Sequence, residues 1–116
     1  MLPNSMLHVI AKVAAALPQH SKLPKMFADT FSNTYLTTLQ HQAGGSVFVI
    51  TGDIPAMWLR DSAAQVRPYV SLAKSDSEFN SLIAGVVKRQ AAYVLIDPYA
   101  NAFNEAANGH CHNRDK

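Results

Sequence analysis

The sequence predicts an all-α fold of about three to four helices, with one short extended segment and long loops between them. Three observations carry that reading. Apolar residues recur at three- and four-residue spacing through two long stretches, around 26–39 and 79–94, which is the period of one helix face. A single stretch, "SVFVITG" at 46–52, is short, β-branched and bounded by glycines, as a strand would be. Prolines at positions 3, 18, 24, 68 and 98 punctuate the chain where helices begin, bend or stop.

The first helix is predicted over roughly residues 5–17, followed by the connector "PQHSKLP" and a second helix from about Lys25 to Gln42. On that second segment Met26, Phe27, Phe31, Thr34, Tyr35, Thr38 and Leu39 line one face, and we read this aromatic stripe as core packing. Gly44-Gly45 then breaks the pattern before the extended segment. A third helix begins near Arg60, with Asp61 and Ser62 as N-cap types at its start and Pro68 expected to kink or shorten it. Ser75 followed three residues later by Glu78 reads as a capping box for a fourth helix, whose face is Phe79, Leu82, Ile83, Val86, Val87, Gln90 and Val94. After Asp97-Pro98 periodicity is lost, and residues 97–116 are expected to form an irregular loop.

The chain has 116 residues, 48% hydrophobic and 16% charged, which fits one packed unit and excludes a disordered chain. Its net charge of +2 comes from scattered basic residues without the stripe of a nucleic-acid binder, and Lys88-Arg89 reads as a solvated helix face. Leu7 to Leu17 is apolar but interrupted by Lys12, with no basic stretch before it, so an ordinary helix is expected rather than a membrane span or a secretory signal. Cys111 is the only cysteine, so no disulfide forms within the chain, and a cytoplasmic protein is expected.

The most unusual composition lies in "GDIPAMWLRDSAAQVRPYV" (52–70), which sets Asp53, Trp58, Arg60 and Asp61 within nine residues among apolar neighbours. Charged side chains are seldom buried unless paired, so this is either a solvated loop or a prearranged polar site.

"FVITGDIPAMWLRDSAAQVRPYV" (48–70) and "RQAAYVLIDPYANAFNEAANGHCHNRD" (89–115) closely resemble the N-terminal part of glycoside hydrolase family 125, the metal-independent exo-acting α-1,6-mannosidases, and "FSNTYLTTL" (31–39) is similar to a third, weaker segment. Arg67, where the family usually shows an aromatic, and Cys111, where a small residue is more usual, depart from the pattern. The resemblance implies an (α/α)6 toroid that hydrolyses a terminal α-mannose with inversion, using two carboxyl groups and neither metal nor cofactor. Twelve helices of about 12 residues with connectors of about 5 demand roughly 200 residues, so the chain is expected to be an incomplete N-terminal part, residues 1–116, of one toroid domain. Both catalytic carboxylates are implied downstream, and no catalytic residue is assigned in this chain.

Within that frame the polar cluster has a use. Sugar recognition needs carboxylates and guanidinium groups that bracket hydroxyls, plus an aromatic face for the apolar side of the ring. Asp53, Trp58, Arg60 and Asp61 supply those parts and are the candidate substrate-binding residues, with Asn104 and His110 from the later motif. Each has a structural alternative: Arg60 and Asp61 as an ion pair and cap, Trp58 as core, Asp53 as an Asx-turn residue, Asn101 and Asn104 as turn formers. His110, Cys111, His112 and Asp115 are metal-ligand types but too crowded for a common zinc site, so no metal is expected. The expected partner is a mannose-containing glycan, together with the missing remainder of the toroid, with neither nucleic acid nor membrane. The alternative is a truncated, non-catalytic sugar-binding or structural helical protein.

Overall fold

Pro3 holds an extended backbone from which helix α1 runs over Asn4–Ala16. The computed structural model describes residues 1–20 and 22–109. Helix α2 (Leu23–Thr37) carries Pro24 in its first turn, where a missing N–H breaks no intrahelical bond. It ends at Thr37, not at Gln42 as the periodicity predicts. Leu39–His41 instead forms strand β1, antiparallel to β2 (Val47–Val49), with Leu39 opposite Val49 and His41 opposite Val47. Leu39 continues the helical spacing of Phe31 and Tyr35, but the buried strand Val47–Val49 offers backbone partners, and that tertiary pairing overrides local propensity. Gly44 and Gly45 turn the chain between the strands at φ of +82° and +79°, a region that suits glycine.

Strand β3 (Met57–Trp58) leads directly into helix α3 (Leu59–Val66). Pro68 shortens α3 as expected, and the chain tightens into 3-10 turns at Arg67–Tyr69 and Leu72–Lys74. Asp61 and Ser62 do not cap α3: they lie inside its first turn, and the cap position is Trp58, whose extended backbone launches the helix without a side-chain bond. Helix α4 (Ser77–Ile96) is capped by Asp76 rather than Ser75, since the Asp76 carboxylate accepts the Glu78 N–H at 2.9 Å. The same carboxylate accepts the Ser5 hydroxyl at 2.5 Å, and Glu78 accepts the Tyr35 hydroxyl, so the start of α4 is tied to both α1 and α2. Burial, then the Glu78 carboxylate, pushes the Tyr35 phenol up to about 12. The tail after Asp97 is not wholly irregular: Ala102–Phe103 forms strand β4, antiparallel to β3, with Met57 opposite Phe103 and Trp58 opposite Ala102.

The core gathers Met6 from α1, Phe48 from β2, Met57 from β3, Tyr69 from the turn after α3, and Phe79, Leu82 and Val86 from α4. Phe31 and Tyr35 pack against it from α2, as the stripe predicts, while Met26 stays exposed. The Tyr69 hydroxyl donates to Phe31 O at 2.5 Å and accepts the Tyr35 N–H at 3.2 Å, anchoring α2 to the segment after α3. On α4 the buried face differs from the predicted one. Val87 and Val94 are exposed, and Gly85 and Tyr93 are buried, because the helix turns that side to β2 and the tail.

Leu95 and Ile96 at the end of α4 and Tyr99 beyond it are largely open to solvent. The radius of gyration is 16.2 Å, against about 13 Å expected for a self-contained domain of this length. Among the described residues no helix is long and apolar enough to cross a membrane.

Candidate functional site

The polar motif begins on a loop whose ends are closed by one residue. Thr51, 2% exposed, donates its N–H and its hydroxyl to Ala56 O at 2.9 and 3.0 Å, and its Oγ1 accepts the Trp58 N–H at 2.8 Å. A single buried side chain therefore fixes both the loop 51–56 and the first residue of the "WLRD" run. Gly52 follows with φ of +81°, and Asp53 is exposed on the loop. Thr51, not an Asx turn at Asp53, makes the bonds that close this loop.

Trp58 is half-buried on β3 and Arg60 and Asp61 stand on the first turn of α3. Their ion pair forms, Arg60 Nε to Asp61 Oδ1 at 3.3 Å, with side chains 80% and 47% exposed. Such a solvated pair holds its own geometry weakly and contributes little to folding. Its position is set by the backbone beneath it. Gln90 on α4 donates to Leu59 O at 3.2 Å and to Ser62 Oγ at 2.8 Å, and Ser62, fully buried, donates to Leu59 O at 2.9 Å. From the other side, the Leu59 N–H, which has no partner within its helix, donates to Asn101 O at 3.1 Å. The exposed guanidinium and carboxylate thus stand on a turn bonded to both α4 and the tail.

The tail is held in turn from α4. Arg89 donates to the Tyr93 hydroxyl at 3.1 Å, to Glu105 O at 2.9 Å and to Ser46 Oγ at 3.1 Å, with its guanidinium 5.8 Å from the Phe48 ring centre and 5.5 Å from that of Tyr93. Lys88 donates to Gly44 O at 2.6 Å. The Lys88-Arg89 pair is therefore not simply a solvated face: both side chains fold back onto the β1–β2 hairpin. The Tyr93 hydroxyl donates to Asn104 O at 2.7 Å, and its ring stacks on Phe103 at 4.3 Å. Burial raises the Tyr93 phenol, an effect that the Arg89 hydrogen bond and charge partly oppose.

The structure joins Trp58, Arg60 and Asp61 to the Asn101–Asn104 segment through the β3–β4 pairing and the Leu59–Asn101 bond. Asn104 is half-buried, its carbonyl taken by Tyr93 and its amide donating to Asn108 Oδ1 at 3.1 Å. His110, with Cys111, His112 and Asp115, lies outside the described residues. Among the described residues no group of three or more His, Cys, Asp or Glu side chains gathers to hold a metal. Thr51, Gln90, Arg89 and Tyr93 are functional residues that the sequence reading misses. Gln90 gave the one usable signal, a polar side chain on an otherwise apolar helix face.

Chemically, the arrangement presents a carboxylate, a guanidinium and an aromatic side chain on a rigid support, with acceptors and donors suited to paired hydroxyls. The metal-independent alpha-mannosidase family (GH125) matches residues 20–116. A Schizosaccharomyces pombe protein, meiotically up-regulated gene 157 protein, is 47% identical over 85 residues, 70% of this chain and 17% of its own. A solved Streptococcus pneumoniae structure from a family of metal-independent alpha mannosidases, a non-productive substrate complex with alpha-1,6-mannobiose, is 43% identical with a TM-score of 0.83. That match covers 90% of this chain and 25% of the solved one. The chain belongs to the GH125 family, and its helices are those of the first part of that family's α/α toroid. It spans a quarter or less of the length of these two relatives.

Proposed function

We propose that this chain is the N-terminal part of an exo-acting, inverting α-1,6-mannosidase, supplying substrate-site residues while the acid and base come from elsewhere in the domain. The observation that carries the proposal is the exposed Arg60–Asp61 pair on a turn fixed from both sides, in a chain that superposes at a TM-score of 0.83 on a protein complexed with alpha-1,6-mannobiose. Asp53, Trp58, Arg60, Asp61 and Asn104, with His110 beyond the described residues, are the residues proposed to meet the terminal mannose.

Support also comes from apolar side chains left exposed at the end of α4. Leu95, Ile96 and Tyr99 are exposed at the end of α4, as expected where further helices of a toroid would pack. Inverting hydrolysis needs two carboxyl groups roughly 6.5–9.5 Å apart to admit a water between them and the sugar. Asp53 and Asp61 are proposed to bind hydroxyls rather than to form that pair, so residues 1–116 alone are expected to lack turnover.

The test is to incubate the full-length gene product carrying this chain with α-1,6-mannobiose and follow the released mannose by proton NMR. Initial release of the β-anomer supports the proposal; release of the α-anomer contradicts inversion. Absence of turnover, with mannobiose still bound, would favour the non-catalytic sugar-binding alternative.

A further inference from the structure

We propose that Arg89 is a positioning residue for the sugar site, a clamp that sets the 101–105 segment against the "WLRD" turn; this rests on the mannoside-binding reading above. The β1–β2 hairpin, helix α4 itself and the tail meet at this one guanidinium. It donates to Ser46 of the β1–β2 hairpin, to Tyr93 one turn along α4, and to the backbone carbonyl of Glu105 in the tail. Its central carbon lies over the ring of Phe48, which is buried, at 5.8 Å, and over that of Tyr93 at 5.5 Å. Among the described residues no carboxylate pairs with it: the Glu105 carboxylate instead accepts from Gln42 at 2.9 Å. A planar group with five fixed donors is being used to hold neutral oxygens, a task for which lysine, with one compact ammonium, cannot substitute.

The clamped segment touches the candidate site directly. Ala102 pairs with Trp58, Phe103 pairs with Met57, and Asn101 O accepts the Leu59 N–H at the start of α3. Tyr93, held by Arg89, grips the same segment by its bond to Asn104 O and its stack on Phe103. Displacing the tail therefore moves Asn104 and removes one of the two supports of the first turn that carries Arg60 and Asp61, leaving it held by Gln90 alone. Hydrogen bonds to substrate hydroxyls weaken steeply once their distance and angle depart from the ideal.

The test uses the full-length gene product with Arg89→Lys and, independently, Tyr93→Phe, which removes only the hydroxyl and leaves the ring stack. Amide hydrogen exchange and α-1,6-mannobiose kinetics are recorded with thermal melts. The clamp predicts faster exchange at Leu59 and through 101–105, KM raised about tenfold or more in Arg89→Lys, and a smaller change of kcat, with Tyr93→Phe shifted in the same sense by a lesser factor. Faster exchange with unchanged KM would show that the clamp is structural only and overturn the proposal. So would unchanged exchange. A wild-type protein that neither binds nor turns over mannobiose removes the sugar-site reading itself and the positioning role with it, a result distinguishable because it appears before any substitution is made.

Discussion

Gln90 of α4 reaches across to Ser62 of α3, donating to its hydroxyl at 2.8 Å and to Leu59 O at 3.2 Å. This contact bonds the longest helix to the first turn of the helix that bears the charged pair. Each element is ordinary alone. Together they place an exposed guanidinium and carboxylate on a backbone that cannot move without breaking buried hydrogen bonds.

Replacing Gln90 with leucine removes both donors while keeping bulk, and leaves Ser62 with one bond fewer in a fully buried position. The expected loss is about 1–3 kcal/mol, the range for a buried polar group deprived of a partner. Urea denaturation of the full-length protein measures it as a fall in midpoint.

Gly85 tests the packing of α4 on the hairpin. A Cβ there would stand 2.6 Å from Val47 Cγ2 and 2.8 Å from Gly45 O, and a backbone carbonyl cannot yield cheaply. Overpacking of this kind costs about 1–3 kcal/mol, offset by about 0.5–1 kcal/mol from alanine's better helix propensity. Gly85→Ala is therefore expected to be net destabilising, by up to about 2.5 kcal/mol in urea with an unchanged slope. A stabilised variant would show that the hairpin does not lie against α4 at this distance.

Asp76 predicts a pH dependence. The Ser5 hydroxyl, the largest effect, holds its carboxyl below the ordinary value of 3.8 together with the lesser Glu78 and Phe79 N–H bonds, against burial, which ranks second and raises it. A depressed folded value contributes stability that is present above the unfolded value and lost as pH falls through the folded one. The Tm difference between wild type and Asp76→Asn is thus expected to be full at about pH 6 and to close below about pH 3.8. A difference constant down to about pH 2 would contradict the cap's charge dependence.

Much of this fold is legible in local pattern, and the failures have two causes. Pro3, Pro24 and Pro68 mark helix starts and an end because proline acts through its own backbone. Asp76 rather than Ser75 caps α4 because both are good acceptors and only the geometry chooses between neighbours. The end of α2 and strand β4 are illegible for a different reason: Leu39 pairs with Val49 and Met57 with Phe103, partners that no local window contains. In the candidate site the clustering of Trp58, Arg60 and Asp61 is visible as composition. Thr51 and Arg89 are not, since their roles consist of bonds to particular residues 4 to 43 positions away, and Gln90 shows only as a polar side chain on an apolar face.

The most direct test of the site is Asp61→Asn in the full-length gene product, with α-1,6-mannobiose kinetics and thermal melts recorded on the same preparation. The Arg60–Asp61 pair is solvent-exposed, so stability is expected to change by less than about 1 kcal/mol. Loss of a charge-assisted bond to a substrate hydroxyl costs about 1.5–3 kcal/mol in the transition state, or roughly a 10- to 150-fold fall in kcat/KM. A fall of that size with an unmoved Tm is the predicted result; wild-type kinetics in a protein whose Tm has dropped would contradict it and leave the motif as scaffold.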